Sequence, residues 1–266
     1  METRLAILAG TGDLPQILAK ADPAAVFVTF EGGEVKVPEG QTHLSASFEK
    51  MGALFAALHQ AGATDLVFAG AMSRPTLNPA NFDAKMMALA PGLISAMGQG
   101  DDALLRAVAT AFENEGFAVK AAHEIAPELN LPKQTLIGPP PDNQQGRDAK
   151  RARDILAALG PQDVSQSAVV AGGQVLGIET IQGTDAMLEF VAATPNHLRR
   201  AKGVLVKVQK PEQDMRFDVP TIGVGTIRSA AKAGLAGIYI SSGVNVLNKP
   251  AVEQALVQTG LFLSVT

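Results

Sequence analysis

The sequence has no cysteine, no tryptophan and a single tyrosine in 266 residues. The lack of cysteine excludes disulfides, thiolate metal sites and cysteine nucleophiles together. The scarcity of aromatic rings argues against the stacking platforms that bind single-stranded nucleic acid. Alanine, valine, leucine and isoleucine therefore have to fill most of the core.

Long apolar runs and metal-binding histidine patterns are also missing. No run approaches the ~20 residues that a membrane-spanning helix needs, and the apolar stretch at 4–9 is too short for a secretory signal. We therefore expect a cytoplasmic protein. The four histidines show neither H-x-x-x-H nor H-E-x-x-H spacing. Metal chemistry would have to rest on carboxylates, the ligands that Mg²⁺ and Mn²⁺ prefer.

The composition is that of a folded protein, with 47% hydrophobic and 18% charged residues. A chain of 266 residues is long for one core and sufficient for two. Residues 1–133 contain 9 basic and 15 acidic side chains, and residues 134–266 contain 13 and 11, so the net charges are −6 and +2. No concentrated basic face is indicated, which argues against nucleic-acid binding and leaves room for an anionic ligand on the second part.

Strand and helix patterns alternate along the chain. Apolar runs at 4–9, 24–30 and 65–71 predict strands, and the stretches at 48–63 and 100–116 predict helices. Such alternation is typical of a parallel sheet with helical crossovers. A second mixed pattern follows the proline-rich segment LPKQTLIGPPPD, which we interpret as a linker. We predict two α/β domains, residues 1–133 and residues 134–266.

The loop GTGDLP follows the first predicted strand. Backbone N–H groups at such a glycine turn and helix start favour phosphate. Pro15 stands where dinucleotide-binding loops have their third glycine, which disfavours NAD. A plain strand-to-helix turn and a contact with a phosphorylated or nucleotide ligand both fit this loop.

Polar residues at other strand and helix ends have two interpretations each. Arg74 in AGAMSRP follows a predicted strand, where it either clamps a phosphate or lies in solvent. Asp101 and Asp102 begin a predicted helix, and capping alone explains them. Thr184 in QGTDAML is equally a plausible helix N-cap.

Charged residues are dense around the segment QDMRFDVPTIG. Lys207 and Lys210 precede it and either neutralise phosphate oxygens or form a solvated strand edge. Asp218 stands before Val219 and Pro220, and the proline biases Val219 to an extended backbone. Local rules allow Asp218 to be a cap or a metal ligand.

Four segments together closely resemble the LpxI-type UDP-2,3-diacylglucosamine pyrophosphatases of lipid A biosynthesis: GDDALLRAVATAFENEGFAV, QGTDAML, KVQKPEQDMRFDVPTIG and AAKAGLAGIYI. The resemblance implies a Rossmann-like amino-terminal domain with a parallel sheet, a carboxy-terminal α/β catalytic domain, and a ligand cleft between them. It also implies Mg²⁺-dependent hydrolysis of the pyrophosphate of UDP-2,3-diacylglucosamine. Water would attack the α-phosphorus and release UMP and 2,3-diacylglucosamine 1-phosphate (lipid X).

The same resemblance implies roles for individual residues. Asp218, the acid of the R-x-D-x-P-T-x-G motif, would be the catalytic carboxylate on the metal. Asp185 would assist catalysis, and Asp214 would be a second metal ligand. The implied substrate contacts are Gly12, Ser73, Arg74, Asp101, Asp102, Thr184, Lys210, Gln213 and Thr221.

The implied chemistry agrees with the residues present. Pyrophosphate hydrolysis needs neutralised oxygens and a water held in line, which a Mg²⁺ ion on carboxylates serves. A lipid substrate implies transient, peripheral contact with the cytoplasmic face of the inner membrane, and the family resemblance suggests a homodimer. The alternative functions are a non-hydrolytic nucleotide-lipid binding or sensing protein and, disfavoured by Pro15, a nicotinamide oxidoreductase.

Overall fold

The computed structural model describes residues 3–72, 75–210, 214–217 and 219–266, and for Asp101 it describes the backbone alone. The chain divides into two compact units. Unit 1 extends to Pro127 and also contains residues 214–217, and unit 2 contains the other described residues from Glu128 onward.

Unit 1 is built on a five-stranded parallel sheet. Its strands are β1 (Leu5–Ala9), β2 (Val26–Phe30), β3 (Thr42–Ala46), β4 (Asp65–Ala69) and β5 (Ala118–Lys120). Their order is β3-β2-β1-β4-β5, and every neighbouring pair is parallel. All residues of β1 and β2 are buried, because helices cover both faces of such a sheet. The strands predicted from apolar runs are therefore confirmed.

Within the described residues, five α-helices accompany this sheet. They are α1 (Leu14–Ala21), α2 (Met51–Gln60), α3 (Ala84–Met97), α4 (Asp101–Glu113) and α5 (Ala122–Ile125). The rings of Phe55, Phe112 and Phe117 meet in the core, with Phe55 and Phe112 edge to face at 5.1 Å. Three large rings thus supply packing that small aliphatic side chains cannot.

Unit 2 has a six-stranded mixed sheet. Its strands are β6 (Leu136–Ile137), β7 (Ser167–Ala171), β8 (Gln174–Ile178), β9 (Val204–Lys207), β11 (Gly237–Ile240) and β13 (Phe262–Val265), and β10 (Thr221–Ile222) pairs separately with β12 (Asn245–Val246). The order is β6-β13-β11-β9-β7-β8. β9, β11 and β13 are parallel, and the other pairings in the sheet are antiparallel.

The helices of unit 2 are α6 (Asn143–Leu159), α7 (Gly183–Ala192), α8 (Val224–Lys232) and α9 (Lys249–Thr259). Ala149, Ala152 and Leu156 of α6 belong to one buried cluster, and α7, α8 and α9 contribute to another. Gly177 lets α7 come close, since a Cβ there would lie 2.9 Å from Met187 and Val191 side chains.

The predicted fold class is confirmed, with two mixed α/β parts and a parallel sheet in the first. The predicted ligand cleft stays a prediction. The proline-rich segment is not a free linker throughout, because Leu136 and Ile137 pair with β13. Among the helices of the described ranges, none is long and apolar enough to cross a membrane.

A buried carboxylate fixes the turn between β7 and β8. Asp148 on α6 is 1% exposed and accepts hydrogen bonds from the N–H groups of Gly172 and Gly173 at 2.8 and 2.7 Å. Gln144 donates a third at 2.9 Å. A hydrogen bond to a charged acceptor contributes more to stability than one between neutral groups, and its loss would leave these buried N–H groups unpaired.

We predict that Asp148→Ala lowers the free energy of unfolding of unit 2 by about 3 kcal/mol, because buried N–H groups lose a charged acceptor. Asp154→Ala on the same helix removes only an exposed pair with Lys150 and should cost less than about 0.5 kcal/mol. The single tyrosine, Tyr239, lies in unit 2 and there is no tryptophan, so its fluorescence in urea reports this unit. Equal losses in the two variants would contradict the prediction.

Candidate functional site

The glycine loop after β1 is bonded to the loop after β4. Gly10 and Thr11 donate their N–H groups to the carbonyl oxygens of Ala69 and Ala71 at 2.7 and 2.8 Å. A Cβ on Gly10 would lie 2.4 Å from the Ala71 oxygen, and one on Gly70 would lie 2.4 Å from the Thr11 oxygen. These glycines therefore allow the two loops to approach, and two N–H groups of the loop are not available to a phosphate.

Gly12 differs from these two glycines. Its φ is +99°, and a Cβ there would meet no atom within 4 Å. The helix α1 follows directly, with Asp13 at the N-cap position and Pro15 in the first turn. The open space beside Gly12 is compatible with its predicted role as a substrate contact.

A pocket of about 390 Å³ lies at the carboxyl ends of β1, β2 and β4. Its lining comprises Ala9–Thr11, Phe30–Gly33, Val35, Phe48, Ala71, Met72, Pro75 and Thr76. The predicted contacts Ser73 and Arg74 lie outside the described residues. Ligands of open α/β sheets bind at this edge.

The acids at the start of α4 do not act as its N-cap, which is Gly100. The Asp102 carboxylate accepts a hydrogen bond from Arg106 Nε at 2.7 Å across one turn. The side chain of Asp101 is outside the described set. The predicted substrate contacts of both acids stay predictions.

Residues 214–217 are bonded within unit 1. Arg216 donates from Nε and Nη2 to the two oxygens of Asp214 at 3.0 and 2.7 Å, and also binds Glu113. Phe217 packs edge to face on Phe68 at 6.1 Å. Hydrogen bonds from Arg216 hold the pKa of Asp214 below its usual range, and those to Asp214 raise the pKa of Arg216. A metal ion at Asp214 would therefore compete with a guanidinium.

Thr184 of unit 2 belongs to a buried network of side-chain hydrogen bonds. The Lys207 ammonium donates to Thr184 Oγ1 at 2.7 Å, and Thr184 donates to Glu179 Oε1 at 2.7 Å. Ser167 Oγ donates to the other oxygen of Glu179, also at 2.7 Å. Lys207, Glu179 and Ser167 are 6, 7 and 0% exposed. The Thr184 hydroxyl thus joins a buried cation to a buried anion, and either charge alone would be costly to bury.

The structure around Thr184 decides between the two interpretations of this residue. α7 begins at Gly183 with Gln182 as its N-cap, so the N-cap interpretation of Thr184 is wrong. Thr184 lies in the first turn, and its hydroxyl is turned to Glu179 and Lys207. Glu179 and Ser167 were not predicted; an acid directly after an apolar strand was the available signal.

The other predicted residues of unit 2 are more separate in the described contacts. Asp185 is exposed in the first turn of α7. Lys210 donates to Asp163 Oδ1 at 2.6 Å. Thr221, the first residue of β10, donates from its hydroxyl to the carbonyl oxygen of Val219 at 3.0 Å.

The two remaining predicted residues, Gln213 and Asp218, fall outside the described ranges. Among the residues within those ranges, no group of three or more His, Asp or Glu is placed to hold a metal ion. Magnesium commonly takes one or two carboxylates and completes its shell with water and substrate phosphates. The predicted carboxylates have the donor chemistry of such a site.

A second pocket, of about 270 Å³, lies beside α7 and is lined mainly by Gly177, Ile178, Thr180, Gly183, Met187 and Phe190. Ile181 and Phe190 are strongly exposed beside it, at 90 and 70%. A contiguous apolar patch marks an interaction surface, whereas single exposed apolar side chains are ordinary.

Comparison with known proteins matches both parts of the chain to one family. The family model for the LpxI N-terminal domain matches residues 4–129, and that for the LpxI C-terminal domain matches residues 132–264. A relative from Caulobacter vibrioides, named UDP-2,3-diacylglucosamine pyrophosphatase LpxI, is 40% identical over 271 residues. The alignment covers 98% of this chain and 96% of the relative. The chain belongs to the LpxI family.

Proposed function

We propose that this protein hydrolyses the pyrophosphate bond of UDP-2,3-diacylglucosamine in lipid A biosynthesis, releasing UMP and 2,3-diacylglucosamine 1-phosphate. The observation that carries the proposal is the match of both family domains, in order, along almost the whole chain. The name of the near full-length relative gives the substrate. Water attacks the α-phosphorus in this proposal.

The contacts of unit 2 support a site for a phosphorylated ligand. Lys207 is a buried cation at the carboxyl end of β9, and Glu179 holds it through Thr184. A cation fixed in this way costs little reorganisation when charge develops on a neighbouring oxygen. We assign to Thr184 and Lys207 the orientation of the substrate's pyrophosphate.

Magnesium is part of the proposal. Asp218 would hold the ion, with Asp214 as a second candidate ligand if Arg216 releases it. When bound, Mg²⁺ neutralises phosphate oxygens and lowers the pKa of a coordinated water. Asp185, exposed in the first turn of α7, is the carboxylate available to orient the attacking water.

We predict that Asp218→Ala lowers kcat by roughly 100- to 1,000-fold, because a preorganised charge at the reacting centre is lost. Release of UMP from UDP-2,3-diacylglucosamine is measured with Mg²⁺ and with excess EDTA. Asp154→Ala, an exposed acid on α6, is the matched control and should keep wild-type activity.

Two outcomes of this assay would contradict the proposal. Equal UMP release by Asp218→Ala and wild type would remove Asp218 from the catalytic centre. Tight binding of the UDP-lipid by wild type without any metal-dependent product would favour the non-hydrolytic binding function instead.

Substitution of Thr184 tests the role of the buried hydrogen-bond network. Thr184→Val keeps the shape and removes the hydroxyl that joins Glu179 to Lys207. We predict a loss in kcat/KM of about 10- to 100-fold for the valine variant, as expected for a lost charged hydrogen bond. Thr184→Ser retains the hydroxyl and should stay within about threefold of wild type. Equal activity of the valine and serine variants would show that the hydroxyl does not position Lys207.

A further inference from the structure

We propose that the outer side of α3 in unit 1 docks on the surface of a lipid bilayer, through apolar side chains and without attraction to anionic headgroups. The inference rests on the proposed function, because a substrate with two acyl chains resides in a membrane. It assigns a surface, and the force that holds it, to the membrane contact that the lipid substrate implies.

α3 is apolar around its whole circumference. Its sequence is AKMMALAPGLISAM, with Lys85 as the one charged residue. The inner side packs against the core of unit 1 through Met86, Leu89, Ala90 and Leu93. A helix that is apolar all round is normally buried all round, and one with a solvated side carries charged or polar residues there. The outer side of α3 therefore has the composition of a covered surface.

The exposed residues of α3 form a stripe along the helix. They follow one another at helical spacing and include Ala84, Met87, Ala88, Pro91, Ile94 and Ser95. Met87 and Ile94, two turns apart, are 58 and 68% exposed, and Met97 in the last turn is 44% exposed. Contiguous exposed apolar side chains of this kind mark an interaction surface.

The charges around this stripe favour hydrocarbon over anionic headgroups. The Lys85 ammonium forms an ion pair with Glu115 and lies 5.9 Å from the centre of the Phe55 ring, so it is engaged with its own unit. Residues 1–133 carry a net charge of −6, which an anionic membrane surface repels. Binding at this face therefore comes from the burial of apolar surface.

The stripe suits a bilayer better than a protein partner. Tryptophan, tyrosine and arginine anchor most protein interfaces, and α3 has none of them. With 14 residues α3 is shorter than the ~20 of a spanning helix. Pro91 provides no N–H for the carbonyl of Met87, and that oxygen needs the water that headgroups retain and hydrocarbon excludes. α3 therefore lies in the plane of the membrane surface.

The test measures how full-length protein partitions onto phosphatidylcholine vesicles, with and without added phosphatidylglycerol, at low and high salt. We expect wild type to bind both kinds of vesicle, no more tightly with the anionic lipid and no more weakly at high salt. The double variant Met87→Gln/Ile94→Gln should lower the partition coefficient about 10- to 100-fold, because two apolar side chains are lost. Glutamine is a good helix former, so the thermal unfolding midpoint should stay that of wild type.

The matched control is Val257→Gln on α9 of unit 2. Val257 is 80% exposed, and Glu253 precedes it by one turn of the same helix. A single exposed apolar side chain beside a charge is ordinary surface. This variant should therefore partition onto the vesicles as wild type does.

Four results would overturn the inference. They are no binding of wild type to phosphatidylcholine, equal binding by the double variant, binding that requires phosphatidylglycerol and disappears at high salt, and equal losses in the double variant and Val257→Gln. Wild type that dimerises in the ultracentrifuge through Met87 and Ile94, without binding vesicles, would assign the stripe to a second copy of the chain.

Hydrolysis of UDP-2,3-diacylglucosamine on the same preparations separates this inference from the proposed function. The substrate is presented in phosphatidylcholine vesicles and in detergent micelles. We expect the double variant to keep the wild-type kcat in micelles and to show a KM raised about tenfold or more in vesicles. Equal KM values in vesicles would remove the docking surface alone. Vesicle binding that depends on Met87 and Ile94, with no hydrolysis in either medium, would remove the proposed activity alone.

Discussion

Parallel pairing is the constraint on which the arrangement of both units depends. Parallel strands bring their carboxyl ends to the same edge, so residues that follow different strands meet there. In unit 1 this edge gathers the Gly10 loop, Glu31 and the Gly70 loop around one pocket. In unit 2, Lys207 is the last residue of β9. β9 pairs in parallel with β11, and β11 pairs in parallel with β13.

The glycine loop of unit 1 shows how a familiar pattern can have a structural explanation. Gly10 and Gly70 are needed because backbone atoms of the two loops come within hydrogen-bonding distance. A phosphate cradle would need the N–H groups that this contact uses. Gly12, the next residue of the loop, has open space beside it instead.

The sequence predicted the elements whose burial is complete. LAILA and VFVTF are buried at every position, so their apolar runs identify β1 and β2 directly. β3, THLSA, was not predicted, because four of its five residues are exposed or half-buried and only its pairing with β2 makes it a strand. Local pattern does not contain that tertiary information.

For the candidate site, the sequence indicated segments of interest but not the side chains that bond to them. Thr184 lies in a motif that the sequence singled out, but its hydroxyl partners Glu179 and Lys207 come from separate strands. Likewise, Asp148 sits in a highly charged helix, and nothing local distinguishes this buried acid from the exposed Asp154. Side-chain networks that join distant positions follow from packing, which periodicity and spacing do not report.

We propose above that the protein cleaves a pyrophosphate by attack of water on the α-phosphorus. Hydrolysis of UDP-2,3-diacylglucosamine in H₂¹⁸O by the wild-type protein, with mass spectrometry of both products, tests it most directly. We expect one ¹⁸O atom in UMP and none in 2,3-diacylglucosamine 1-phosphate. Label in the sugar phosphate, or no hydrolysis, would contradict it.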